Sequence, residues 1–110
     1  MVEMLDCLVS YFSEEANAEG MPRRYLSYHV VAGPGPSPES GVASITPLAV
    51  HDENPICDTC ERVIAVKAGG PAAAMEEALV YMDAYHEGDR LVKVQSEIRS
   101  FPARVDVAER

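Results

Sequence analysis

Between residues 2 and 18 apolar side chains recur at three- and four-residue intervals: Val2, Leu5, Leu8, Val9, Phe12 and Ala16. Glu3, Asp6, Ser10, Glu14 and Asn17 fall on the opposite side, so the pattern predicts an amphipathic helix that Gly20 and Pro22 terminate. From Arg24 to Ala32 the period changes to two. Leu26, Tyr28, Val30 and Ala32 share one face and Tyr25, Ser27, His29 and Val31 the other, which predicts a strand.

The segment "GPGPSPESG", 33–41, interrupts any ladder with three prolines and reads as a hairpin loop. Strand character resumes over 42–50, where Pro47 argues for a sheet edge. A short apolar run, "RVIAVKA" at 62–68, has the composition of a central strand. Gly69, Gly70 and Pro71 then open a second helix over 71–87, with Ala74, Met75, Ala78, Tyr81, Met82 and Tyr85 on its apolar side and Gly88 after it. A last strand over 90–100 alternates Val92, Val94, Ser96 and Ile98 against Lys93, Gln95, Glu97 and Arg99.

Together these elements predict an α+β fold of order α-β-β-β-α-β: a mainly antiparallel four-stranded sheet with both helices packed on one face, and Val92, Val94 and Ile98 turned toward them. The expected organisation is a single domain over residues 1–100 and a polar C-terminal tail over 101–110. A chain of 110 residues, 47% of them hydrophobic, supports one core. Its first residues lack a basic segment, and acids interrupt the apolar ones, so neither a signal peptide nor a membrane span is expected. Three cysteines do not make a disulfide framework, and the expected location is cytoplasmic.

Charge adds the most to this picture. Eighteen acids against nine bases give a net charge of −9, which argues against direct binding to a phosphate backbone and points to a basic partner. The acids are unevenly placed. Residues 1–20 hold Glu3, Asp6, Glu14, Glu15 and Glu19, residues 71–88 hold Glu76, Glu77, Asp83 and Glu87, and neither segment contains a Lys or Arg. Solvated helices ordinarily interleave bases with acids at i,i+4 spacing, so two helices without any base form an acidic face. The expectation is a non-enzymatic interaction protein that docks Glu3, Asp6, Glu14, Glu76, Glu77, Asp83 and Glu87 onto a basic protein surface. That surface could belong to a nucleic-acid-handling complex that the acidic face inhibits by mimicry, as a phage-type inhibitor would; a homodimer is compatible with the same reading.

The one stretch with the look of chemistry is "HDENPICDTCERV", 51–63. Its His-x-Glu and Pro-x-Cys-x-x-Cys words resemble parts of the zinc nucleobase deaminases, but there the two parts open separate helices and here they run together. Redox catalysis needs the first cysteine at a helix N-terminus, whereas a strand is expected after Cys60, and Asp52, Glu53, Asp58 and Glu61 oppose a thiolate. The alternative to the acidic docking protein is therefore a structural zinc or small-ligand module, oligomeric in form, with Cys57, Cys60 and His51 as ligands and His29, His86 or Cys7 as remote candidates for the fourth. No nucleophile or phosphate-loop spacing is present, so no catalytic residue and, outside the zinc alternative, no cofactor is expected.

Overall fold

The computed structural model describes residues 3–53 and 59–102. Six strands and one α-helix follow the order β1 (Glu3–Phe12), β2 (Arg24–Pro34), β3 (Gly41–Asp52), β4 (Arg62–Val66), α1 (Gly70–Tyr85), β5 (Val92–Gln95) and β6 (Arg99–Pro102). The strands form one sheet in the order β4-β3-β2-β1-β5, with β6 also on β1, and every pairing is antiparallel. The expected four-stranded sheet with two helices is thus corrected to six strands with one helix.

The first predicted helix is the long strand β1. Cys7, Val9 and Tyr11 are buried beneath α1 and pair with Val30, Tyr28 and Leu26. Met4, Leu8 and Phe12 project to the opposite face, because successive strand residues alternate. Apolar residues on both faces erase the period-two signal, and the leftover spacing of Leu5, Leu8, Val9 and Phe12 imitates a helix. Pairing with β2 on one side and with β5 and β6 on the other supplies the ladder that a lone helix does not need.

Two other expectations change for related reasons. The predicted last strand is split: β5 pairs with Val9–Phe12 and β6 with Glu3–Asp6, while Ser96 spans the break through bonds with Leu8 N and O. Register places Val92 opposite Phe12 and Val94 opposite Ser10, so both face away from the helix rather than toward it. Only Ile98 stays on the helix side, beside Leu79 and Val80. The run 62–66, expected at the centre, is the edge strand β4 and covers only Gly41–Ile45 of β3. Pro47 lies beyond that cover, next to the irregularity between Ser27 and Tyr28, where a missing N–H is tolerated.

The core is one layer deep. Leu26, Tyr28, Val30, Ala32, Ala43 and Ile45 of the sheet meet Ala74, Met75, Ala78 and Met82 of α1, all almost fully buried. Alanines at 74 and 78 let the helix sit close to the strands. At its start Gly69, at φ 94°, and Gly70, at φ 66°, adopt left-handed backbone, which glycine enters without strain. Gly70 N–H bonds Glu39 O at 2.9 Å, and Gly41 lies directly beneath the Gly70 carbonyl with no room for a Cβ. Arg62 closes the far flank by stacking 4.7 Å over Tyr81, which ties the edge strand to the helix. Among the described residues no helix is long and apolar enough to cross a membrane.

Two substitutions check this packing in urea unfolding. Met82→Ala, in a fully buried position, is expected to cost about 2–5 kcal/mol. Gly41→Ala must displace the first turn of α1 and is expected to cost at least about 2 kcal/mol, whereas Gly88→Ala, with open space around it, is expected to be near neutral.

Candidate functional site

Three clusters of polar side chains stand out. The first is buried at the C-terminal end of α1. Tyr28 Oη accepts the Cys60 backbone N–H at 3.3 Å and lies 3.1 Å from His86 Nε2. His86 Nδ1 lies 3.0 Å from Asp89 Oδ2, which also meets Arg24 Nη1 at 3.2 Å; Arg24 Nε in turn lies 3.0 Å from Asp52. The arrangement is self-consistent when neutral His86 donates from Nδ1 to Asp89 and accepts the Tyr28 hydroxyl proton at Nε2. Burial pushes the Tyr28 phenol far above its ordinary pKa, so it remains a donor.

A Tyr-His-Asp sequence of contacts resembles a general-base relay in outline. A base must reach the proton of a substrate, however, and the His86 side chain is only 1% exposed. The relay is a structural tie between β2, the segment before β4 and the helix end. Tyr11 packs edge-on to Tyr28 and donates to Asp83 Oδ1 at 2.9 Å. Burial, then that bond, raises the Tyr11 phenol as well.

The second cluster lies on the sheet face opposite the helix. Asp6 receives Arg99 Nε and Nη2 at 3.1 and 3.0 Å on its two oxygens, and His29 Nε2 at 2.9 Å. The Arg99 bond, then the His29 bond, holds the Asp6 carboxyl below the usual carboxylate range. Asp6 is therefore committed within the sheet and is not an open docking charge.

The third cluster is the outer side of α1. Glu76, Glu77 and Glu87 are exposed, as is Asp83, which shares its carboxylate between Tyr11 and Lys93 Nζ at 2.8 Å. Burial opposes ionisation of Asp83, but the Lys93 and Tyr11 bonds outweigh it and lower its pKa. Along one flank of the helix runs a groove of about 370 Å³ lined by Leu5, Ala72, Met75, Glu76, Leu79, Val80, Asp83 and Ile98; Glu77 and Glu87 are not part of its lining. Val80, on its rim, is 61% exposed. Glu3 begins β1 two residues before Leu5, whereas Glu14 lies past the far end of the strand, in a depression with Arg23 and Arg90. The seven expected docking acids therefore do not form one wall: Glu76, Glu77, Asp83 and Glu87 share the helix side, Asp6 is on the other face, and Glu3 and Glu14 sit at opposite strand ends.

The expected metal ligands are also separated. Cys60 is buried beside Tyr28 on the helix side of the sheet. His51 is exposed and pairs with Tyr25 on the other face, 3.9 Å from Glu53. Cys57 lies outside the described residues. His29 and His86 are engaged with Asp6 and Tyr28 on opposite faces, and Cys7 packs against Met75 with its Sγ 3.9 Å from the thioether. Among the described residues no group of three or more His, Cys, Asp or Glu side chains converges on a point. The partnered acids and the groove were hidden in sequence because their partners, Arg99 and Lys93, are reached only through β5 and β6 pairing with β1.

No family model matches the chain, and comparison with curated proteins and with solved structures finds no match either.

Tyr28→Phe leaves the Cys60 N–H and His86 Nε2 without their partner and is expected to cost about 1–3 kcal/mol in urea unfolding. A pH series tests the carboxylates. Asp6 and Asp83 have folded pKa values below their unfolded ones, near 4, so their contribution is fully present above that pH and is lost as pH falls through the folded values. The urea midpoint should drop from about pH 5 to about pH 3, and Asp6→Asn should flatten the drop. The effect is small, under about 1 kcal/mol for each carboxylate, because Arg99 and Asp83 are solvent-exposed.

Proposed function

We propose that this chain is a small non-enzymatic interaction protein that docks the outer side of α1 onto a basic surface of a protein partner, where its charge competes with nucleic acid. The observation that carries the reading is the apolar groove rimmed by Glu76 and Asp83, on a segment, 70–89, that also holds the exposed Glu77 and Glu87 and contains no Lys or Arg. The groove and the exposed Val80 supply a desolvated anchor at the centre of the patch. The surrounding acids steer a cationic partner and reject anionic ones. Glu76, Glu77 and Glu87 carry the charge; Asp83 contributes less, since Lys93 neutralises part of it.

The matching ligand chemistry is an amphipathic cationic segment with an aliphatic side chain between its bases, laid along the groove. A synthetic helix with a Leu stripe flanked by Lys serves as the probe, its Glu-for-Lys counterpart as the control, and fluorescence anisotropy as the readout. Binding is expected for the basic peptide alone and should weaken steeply as salt rises from about 0.05 M to about 0.3 M. Glu76→Gln, Glu77→Gln and Glu87→Gln combined should weaken it roughly tenfold, about 1–2 kcal/mol at exposed sites. Val80→Asp should weaken it further. Unchanged affinity in the triple variant, or equal binding of the acidic peptide, would overturn the proposal.

A further inference from the structure

We propose that two copies of this chain associate face to face through the open side of the sheet, with α1 of each copy outermost. The first observation is composition. Leu8, Phe12, Val31, Val63, Val94 and Phe101 share this face by register, and no described element covers them. Val63 is 66% exposed, Val94 56%, Leu8 47% and Phe101 39%. Single exposed apolar residues are ordinary, but a set drawn from five of the six described strands marks an interaction surface.

The second observation is charge. Among the described strand residues of this face only Asp6 and Arg99 are charged, and they neutralise each other through a bidentate pair. Ser10, Ser27, Ser44 and Thr46 fill the space between with small hydroxyls. For a molecule of net charge −9, a self-contact is repulsive almost anywhere else. Here the helix-side acids of the two copies point in opposite directions, and Glu97, between β5 and β6 beside Leu8 and Arg99, is the acid that borders the contact.

The third observation is size. Five strand columns at ~4.8 Å spacing and about nine residues at ~3.3 Å give a face of roughly 700 Å². A stable specific interface buries about 800 Å² per partner, so the sheet face alone nearly meets the requirement. Two such faces pack ~10 Å apart as a sandwich, and a two-fold axis lets each copy's apolar residues lie between the other's. A cationic protein or a nucleic acid has no complementary charge on this face, whereas a second copy matches it in polarity and in area.

Sedimentation equilibrium of the full chain, mass 11.9 kDa, is expected to give twice that mass. Val63→Glu with Val94→Glu changes two well-exposed positions and should weaken the dimer at least about tenfold while circular dichroism keeps its sheet signature. Should that variant not fold, dipolar spectroscopy on nitroxide-labelled Thr46→Cys decides: a short distance between copies is expected, and a long one from a label at Glu77→Cys on α1. The Glu76, Glu77 and Glu87 to Gln variant should remain dimeric, which separates this surface from peptide docking at α1. A monomer at all concentrations, a dimer indifferent to the Val63 and Val94 changes, or the short distance appearing at residue 77 instead would overturn the proposal.

Discussion

One helix has to close a face that is more than twice its own width. An α-helix with side chains is about 10 Å across, and five strand columns span roughly 24 Å. The helix α1 therefore lies over β2 and β3 with β4 and β1 at its flanks, where Cys7, Val9, Val30 and Ile45 reach full burial, and leaves β5 and β6 partly bare. The other consequences follow from that mismatch. Where the cover steps down toward β6, the groove between Leu79, Val80 and Ile98 opens. On the opposite side none of the described residues forms a covering helix, and apolar residues stand in solvent.

A single covering element must be held firmly, and α1 is fixed at both ends by different means. At the start the contact is steric: Gly41 admits the Gly70 carbonyl at a distance no side chain would permit, and the Glu39 carbonyl takes the Gly70 N–H. At the end it is polar. Tyr28, from the middle of β2, holds both the Cys60 backbone and His86, and the chain of contacts runs on through Asp89 and Arg24 to Asp52. The network ties the position of the helix end to three distant segments at once, and its Arg24 Nε, 3.0 Å from Asp52, is held there by ion-pair contact rather than by a hydrogen bond. The acids on its outer surface are consequently presented in one geometry.

Much of the chain was legible from pattern. The second helix is found where alanine-rich spacing and the Gly-Gly-Pro opening place it, and the alternation of Leu26, Tyr28, Val30 and Ala32 identifies β2 and its buried side. The first strand was not legible, for a physical reason. Periodicity reports burial, and a strand with Leu5, Cys7, Val9 and Tyr11 on one face and Met4, Leu8 and Phe12 interspersed with Asp6 and Ser10 on the other has no uniformly polar side to report. The same limit applied to the site. A count of acids treats Asp6 and Asp83 as equals of Glu76 and Glu77, while their partners come from strands 93 and 10 residues further along. Topology also parts two of the expected metal ligands: His51 and Cys60, close in sequence, are sent to opposite faces of the sheet.

That misreading of β1 carries information of its own. A strand whose outward face only meets water gains nothing from Leu8 or Phe12 there, and alternation with polar residues is the ordinary solution. β2, β4, β5 and β6 repeat the departure with Val31, Val63, Val94 and Phe101, so the open face departs from it as a whole. The acids are distributed largely in the complementary way, on α1 and the loops, and the strands of the sheet face keep one internally neutralised pair, with Glu97 beside it between β5 and β6. Apolar area and negative charge are thus separated onto the two sides of a thin molecule. That separation is what both proposals rest on: a charged side attracts by long-range field, whereas an apolar side adheres where water can be excluded by a surface of its own kind.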